Sequence, residues 1–321
     1  FIADEQNHRV RKLDTTGIIT TVAGSGSGLF SGDGGPATSA GINSVQSIVT
    51  DTSGNLYILC NGGNTSPNVL RKVNASGTIS TIAGSPTISG YGGDGGPATA
   101  AWFYSPFAIT IDKANNLYIA DMVNNRIRKI SSSGIISTVA GNGGYGFSGD
   151  GGPAISAEIN GPAGVALDSR GNIYVTDYGN KRVRKVDTAG IITTIAGTGV
   201  SGYSGDGGPA TTAQISSSIH IAADKSGNVY LADEGNHVIR KINAFGIIST
   251  VAGTGMCGYS GDGGLAVAAQ ICNAFGVGVD NTGNQLISEN FNHRVRRVFS
   301  TNSAPVFTLG DSVSFTICSG F

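Results

Sequence analysis

An all-β fold, a six-bladed β-propeller with four antiparallel strands in each blade, is what the sequence predicts, and three observations carry the prediction. Glycine supplies 51 of 321 residues, about twice its usual share, while charged residues make up only 13%. A glycine-rich loop recurs five times: LFSGDGGPAT (29–38), GYGGDGGPAT (90–99), GFSGDGGPAI (146–155), GYSGDGGPAT (202–211) and GYSGDGGLAV (258–267). Its aspartates, Asp33, Asp94, Asp150, Asp206 and Asp262, stand 61 and then 56, 56 and 56 residues apart. Two further markers each recur six times. One is a paired base: Arg11-Lys12, Arg71-Lys72, Arg128-Lys129, Arg184-Lys185, Arg240-Lys241 and Arg296-Arg297. The other is a short apolar segment ending at Asp4, Cys60, Asp121, Asp177, Asp233 or Glu289. Self-similarity at a fixed period means repeated supersecondary units. Units that cannot cover both of their faces must stack on their neighbours, so the whole length fits one domain.

One period runs from 163 to 218. AGVALD (163–168) is a short apolar strand, and Ser169-Arg170-Gly171-Asn172 turns the chain, with glycine supplying positive φ. IYVTD (173–177), β-branched and aromatic, is the second strand. After a turn at Tyr178-Gly179-Asn180, KRVRKVD (181–187) alternates polar and apolar, as a half-buried strand does. A turn at Thr188-Ala189-Gly190 leads to the fourth strand, IITTIAG (191–197), and then to the glycine loop. PATTAQI (209–215) suits one helical turn, with Pro at its start. Four short antiparallel strands per period describe a propeller blade. The 3.6-residue pattern of a helical solenoid is missing, and a β-helix needs much shorter coils.

The second and third strands occur six times, but the first only five: Ser44–Thr50, Phe107–Ile111, Ala163–Leu167, Ile219–Ala223 and Ala274–Val279. The chain opens inside a blade, in mid-pattern and without Met, as expected of a piece of something longer. PVFTLG (305–310) is the expected last strand of blade six, and Ser312–Cys318 is expected to complete the blade that opens at Phe1. A ring closed in this way over 1–321 leaves no free blade edge. The tail lacks a glycine loop before Ser312, which argues for the alternative that 311–321 starts another domain.

The start of the third strand reads Asn7-His8-Arg9-Val10-Arg11-Lys12, and similarly at Asn124, Asn180, Asn236 and Asn292. With G-N-x-Y-[IVL]-[AT]-D before it, this resembles the NHL repeat, over nearly the whole chain. Blade two departs, with Pro67-Asn68-Val69-Leu70 in place of the Asn start and Cys60 in place of the acid. The long SGDGGPAT loop resembles that of the propeller of teneurins, which are extracellular adhesion proteins, and of many secreted bacterial and algal proteins. The resemblance implies the propeller fold. NHL propellers also occur in RNA-binding regulators, in an amidating lyase and in bacterial sensor domains, so fold does not fix function.

Each glycine loop links the outermost strand of one blade to the innermost strand of the next. Gly-Asp-Gly-Gly permits backbone conformations closed to other residues, and its Asp is expected to accept hydrogen bonds from nearby N–H groups. Ca²⁺ takes six to eight oxygens, whereas each loop offers one acid. No Lys-Ser/Thr follows to hold phosphate. The loops are therefore read as one architectural part used five times, emerging on one side of the disc. Phe30, Tyr91, Tyr145, Phe147, Tyr203 and Tyr259 are expected to cover the blade junctions or to form part of a partner-binding surface. Asp-x-x-Asn after each second strand is expected to lock a turn, with the acid paired to an Arg. The Arg-Lys pairs are expected on a solvated or ion-paired face, and Asp51, Asp112, Asp168, Asp224 and Asp280 open turns.

His8, His237 and His293 share one turn position, whereas His220 falls in an innermost strand and is the central-channel candidate. Cys257 and Cys272 bracket the last loop and are expected to be bridged; Cys60 and Cys318 are the second candidate pair. An even cysteine count with a bracketing pair suggests an oxidising compartment. Asn64-Thr65-Ser66 and Asn74-Ala75-Ser76 are glycosylation acceptors. No apolar run approaches the roughly 18 residues that cross a bilayer, and a net charge of −1 does not suit binding to nucleic acid through phosphates. No convergent catalytic, metal or cofactor set is found. The expectation is an extracellular, secreted or cell-surface module that presents loops to a protein or glycan partner within a larger multidomain chain. A lyase or hydrolase acting at the central channel is the first alternative, and an RNA-binding propeller the second.

Overall fold

The computed structural model describes residues 1–63, 67–299 and 315–317. The architecture is all-β, six blades around one axis, with single helical turns as the only helical structure among the described residues. Blade one contains β1 (Ile2–Asp4), β2 (Arg9–Leu13) and β3 (Ile19–Ala23). Blade two is β4 (Val45–Thr50), β5 (Leu56–Cys60), β6 (Asn68–Val73) and β7 (Ile79–Ser85). Blade three is β8 (Pro106–Ile111), β9 (Leu117–Asp121), β10 (Arg126–Ile130) and β11 (Ile136–Ala140). Blade four is β12 (Pro162–Leu167), β13 (Ile173–Asp177), β14 (Arg182–Val186) and β15 (Ile192–Ala196). Blade five is β16 (Ser218–Ala223), β17 (Val229–Asp233), β18 (Val238–Ile242) and β19 (Ile248–Ala252). Blade six shows β20 (Ala274–Val279), β21 (Gln285–Glu289) and β22 (Arg294–Val298).

A last strand, β23 (Phe315–Ile317), pairs with β1, Ala3 opposite Thr316. It lies between the innermost strands β4 and β20, at the place of blade one's own inner strand. Its sense is parallel, whereas the inner pairs of the other blades are antiparallel. Those pairs are hairpins, whose tight turn dictates the antiparallel sense; β1 and β23 come from distant parts of the chain and are free of that constraint. The outer strand expected at 305–310, and both ends of the expected strand Ser312–Cys318, lie outside the described residues.

The core lies between blades rather than within them. Five apolar clusters each join two neighbouring blades, as Ile58 and Val69 of blade two join Val10 and Ala23 of blade one. The intervening loop adds Ala37, Ala40 and Ile42 to that cluster, and a single turn at Ala37–Ser39 follows Pro36 as expected. In blades one to five the fourth strand carries an extra residue opposite the step from the apolar residue to the arginine, Val139 between the partners of Ile127 and Arg128 for example. The third strand itself alternates without a break, and Ile127 and Arg128, on opposite faces of the blade, are both buried while Lys129 is less so.

Candidate functional site

The repeated loops and the axis are the two places where chemistry concentrates. The loop aspartates accept N–H hydrogen bonds as the sequence suggested, Asp33, Asp94 and Asp206 from Thr81 N, Thr138 N and Thr250 N of the following blade. Each reaches the third-strand arginine of the following blade. Asp33 Oδ1 meets Arg71 Nη2 at 2.6 Å, and Asp94, Asp150, Asp206 and Asp262 meet Arg128, Arg184, Arg240 and Arg296 at 2.6, 2.8, 2.7 and 2.6 Å. The expectation of a solvated or ion-paired arginine face is corrected in one respect. The arginines are ion-paired but sit in the core, and four of them head the largest fully buried side chains. The neighbouring lysines take the opposite face, Lys72, Lys129 and Lys241 lying over the rings of Tyr57, Tyr118 and Tyr230.

Arg128 shows how such a charge is tolerated. Its Nε and Nη2 donate to Asp94 Oδ1 at 3.2 and 2.6 Å, Nη1 to Asp121 Oδ2 at 3.2 Å, and the two Nη atoms also to the carbonyls of Trp102 and Gly92. A buried charge persists only when paired and fully hydrogen-bonded. The Tyr91 ring lies 3.8 Å from the Arg126 guanidinium and 4.9 Å from that of Arg128, a cation–π stack. Phe30, Phe147, Tyr203 and Tyr259 stack in the same way on Arg71, Arg184, Arg240 and Arg296. Tyr91, Tyr203 and Tyr259 nevertheless remain partly open to solvent. In blade two Cys60 stands where the second carboxylate would be, burial pushes its thiol up to about 12, and Arg71 Nε has no partner.

The acids at the ends of the second strands lock turns, Asp121, Asp177 and Asp233 accepting from Asn124, Asn180 and Asn236. Asp51 accepts from Ser53 N, Asn55 N, Asn55 Nδ2 and Tyr57 OH, a turn repeated at Asp112, Asp168 and Asp224. Burial pushes Asp121 and Asp233 up to about 6, against the pull of their hydrogen bonds and arginines. Burial also raises Asp33, Asp94 and Asp262, but hydrogen bonds from Thr81, Thr138 and Tyr259, with the arginines, outweigh it and hold them below the ordinary 3.8. The stability that the raised carboxyls lend is complete at low pH and is lost as pH rises through about 6. The contribution of the depressed carboxyls is present above 3.8 and lost as pH falls through their lower values. Burial pushes His220 down to about 4 and the Phe1 amino group down to about 6, which disfavours the fold as pH falls from ~7 to ~5 and opposes the raised carboxyls there. The steep loss in thermal melts is therefore expected below about 4, where the depressed carboxyls take up protons, and full stability at pH ~2 would contradict this assignment.

At the axis, His220 packs against Phe275 at 5.4 Å and Phe107 at 6.1 Å between ring centroids. Phe107 and Phe275, with Ala163 and Ile219, form an apolar plug. A cavity of about 230 Å³ is lined by His220 and by Ser47, Ala108, Val165 and Gly276 of the other inner strands. Burial pushes the imidazole down to about 4, so it is neutral, and its Nε2 is unpartnered. No charged side chain lines the cavity among the described residues, nor do they hold any group of three or more His, Cys, Asp or Glu suited to a metal ion. His8, His237 and His293 all sit at positive φ, as do Asn125 and Lys181 at the same place in other blades; His and Asn are enriched in that conformation.

Cys257 and Cys272 are bridged, Cα to Cα 4.2 Å. Cys60 is buried and unbridged among the described residues, and its candidate partner Cys318 lies outside them. One loop earlier, Ser201 and Ser216 occupy the same two positions, their hydroxyls 2.8 Å apart. In the sequence the serine pair carries no signal beyond its spacing, both pairs being 15 residues apart. The double variant Ser201→Cys/Ser216→Cys should oxidise spontaneously and gain about 3 kcal/mol in the chain-entropy account. Intact mass and melting in the absence of reductant read both effects, and persistent free thiols would refute the equivalence. Asn74 lies in an exposed turn, its Oδ1 accepting from Ser76 N, Ser76 Oγ and Thr78 N; Asn64 lies outside the described residues.

Comparison with known proteins adds the following. The sequence model of the Teneurin NHL domain matches residues 146–202. Teneurin-4 of Homo sapiens is 27% identical over 283 residues, covering 75% of this chain and 10% of its own length. Protein SUPPRESSOR OF QUENCHING 1, chloroplastic, of Arabidopsis thaliana is 26% identical over 261 residues, covering 76% of this chain and 24% of its own. The chain thus spans a tenth to a quarter of these relatives. Among solved structures, an auxiliary nutrient binding protein from Bacteroides ovatus superposes with a TM-score of 0.64 at 13% identity, covering 91% of this chain and 64% of that one. That likeness is one of fold.

Proposed function

Because the chain is an NHL-repeat β-propeller of the long-loop kind, similar to the teneurin propeller, we propose that it is a non-catalytic interaction module of a larger adhesive protein at the cell surface or outside the cell. The five loops present the contact surface to a protein or glycan. Residues 1–321 form a single ring, closed by tail strands over about 305–318, and Asn74 is the favoured glycosylation acceptor. The observation that carries this reading is the engagement of every loop aspartate by a buried arginine. With their acids tied down, the loops offer solvent their apolar tips: Leu29, Ile88, Tyr145, Val200 and Met256 are all exposed. The topology, outer strand to inner strand each time, brings all five tips to one face. The bridge between Cys257 and Cys272 supports an oxidising location, and burial of the arginines takes them out of any basic surface for RNA.

Catalysis at the axis is the second reading, and His220 is what favours it. One neutral imidazole supplies a single acid–base group, where a hydrolytic or lyase site needs several groups converging.

Beads coated with the chain should adhere to one another or to cells bearing the partner. The variant Leu29→Asp/Tyr145→Asp/Val200→Asp, altered only at exposed tips, should lose most of that adhesion. Adhesion that is absent, or indifferent to the triple change, would overturn the reading.

A further inference from the structure

Strands that alternate in sense send alternate connections to opposite faces of the disc. In each blade the turn after the first strand and the turn after the third therefore share the face away from the glycine-loop tips. The two turns of a blade touch. Ser132 N donates to Asn116 Oδ1 at 3.0 Å in blade three. In blades four and five a Cβ on Gly171 or Gly227 would lie 3.7 or 4.0 Å from Thr188 or Ala244. The turns are built alike, an Asp or Asn accepting from the N–H groups two and four residues on.

What differs is the side chains the turns carry. Phe245 stands in blade five where the sister turns have Thr16, Ser76, Ser133 and Ala189. It is 91% exposed, the most open of the large apolar side chains among the described residues. Phe245 N and Ile247 N donate to Asn243 Oδ1 at 2.9 and 3.0 Å, so the turn keeps its shape without burying the ring. The first turns of blades three, four and five carry Lys113, Arg170 and Lys225, all exposed. None of the three charges meets a carboxylate among the described residues. The acids beside them are already occupied. Asp112, Asp168 and Asp224 each accept from two backbone N–H groups, an Asn amide and a Tyr hydroxyl, and Asp187 accepts from Ala189 N and Ile191 N. The arc lies on blades three to five, whereas the connection from β22 into β23 joins blade six to blade one.

We propose that this face docks on the surface of a bilayer rich in anionic lipid, with Phe245 in the interface and Lys113, Arg170 and Lys225 over the headgroups. Binding to an interface grows with the apolar area buried and with attraction to anionic headgroups. Each base near the surface contributes, and aromatic rings settle at headgroup level. A soluble polyanion would use the bases but has no place for an apolar ring. A hydrophobic protein partner would use the ring but not the charges. Ring and arc share one face, and that combination selects the bilayer. The chain lies on the membrane without crossing it, and its loop tips point away. The inference does not rest on the proposed function: adhesion reads the tips and docking reads the opposite face, so either can fail alone.

The 321-residue chain is sedimented with vesicles of phosphatidylcholine containing about 30% phosphatidylglycerol, and with vesicles of phosphatidylcholine alone, at ~0.1 M salt. Binding to the anionic vesicles is expected, with little to the neutral ones, and it should fall as salt is raised. Phe245→Ser, the residue of two sister turns, should weaken binding roughly tenfold. Lys113→Gln/Arg170→Gln/Lys225→Gln should weaken it roughly a hundredfold, about fivefold for each base. Phe245→Trp should still bind, and its emission should move to the blue on anionic vesicles. All four positions are exposed in turns, so the variants should melt like the parent chain. Binding that is absent, as strong on neutral vesicles, or indifferent to both changes overturns the proposal. Retention on heparin that persists in Phe245→Ser, with no binding to vesicles, would identify a soluble polyanion as the occupant and overturn it as well.

Discussion

Replacing Arg128 by methionine is expected to destabilise the propeller by about 3–5 kcal/mol, the usual effect of removing one partner from a buried ion pair. The change strands Asp121, fully buried, leaves the Trp102 carbonyl without its guanidinium donor and leaves that of Gly92 with only the long bond from Trp102 N. Asp94→Asn should do less, about 1 kcal/mol, because that carboxylate is partly solvated and keeps neutral hydrogen bonds. Arg11→Met, where the pair with Asp4 is partly solvated, should fall within the range of ordinary surface pairs, about 0–1 kcal/mol. The double variant Arg128→Met/Asp121→Leu should recover part of the loss, since it removes the stranded charge. Denaturant unfolding measures all four. Equal effects for Arg128→Met and Arg11→Met would show that the clamp is not what holds neighbouring blades.

The second large effect is expected from deleting 311–321. Loss of β23 removes the partner of β1 along Ile2–Asp4 and the wall between β4 and β20. On the order of 3 kcal/mol should go with these hydrogen bonds and the opened blade interface, since repeat stability is largely a sum of neighbour terms. Cleavage by protease should begin in blade one. A truncated chain that melts and resists protease like the full one would refute closure of the ring by the tail.

The order of strands and the kinship of the loops were legible because both rest on local pattern: alternating faces, β-branched runs and glycine turns. The closing pair at Cys257 and Cys272 was legible because it brackets one loop. The partner of each loop aspartate was not. Asp94 and Arg128 are 34 residues apart, and nothing in a linear pattern joins a loop to the third strand beyond it. The arginine's burial was hidden too, because an alternating polar and apolar strand reads as half-buried, whereas Ile127 and Arg128 point to opposite faces of the blade and both faces are covered. His220 was placed at the axis by register alone, but its contacts with Phe107 and Phe275 come from blades far apart in sequence. The parallel sense of β23 had no signal in the residues, since sense is fixed by the path of the connection.

The clamp has a consequence for how the protein ages. Each loop aspartate precedes a glycine, the pairing most prone to cyclise to a succinimide and reopen as isoaspartate. Cyclisation needs the glycine nitrogen to attack the side-chain carbonyl, and in four loops both groups are held elsewhere. Gly34, Gly95, Gly151 and Gly207 donate to Ile79, Ile136, Ile192 and Ile248, while the carboxylates hold arginines. On prolonged storage isoaspartate at Asp33, Asp94, Asp150 and Asp206 should therefore accumulate more slowly than at the same sequence in an unfolded peptide, which peptide mapping would show.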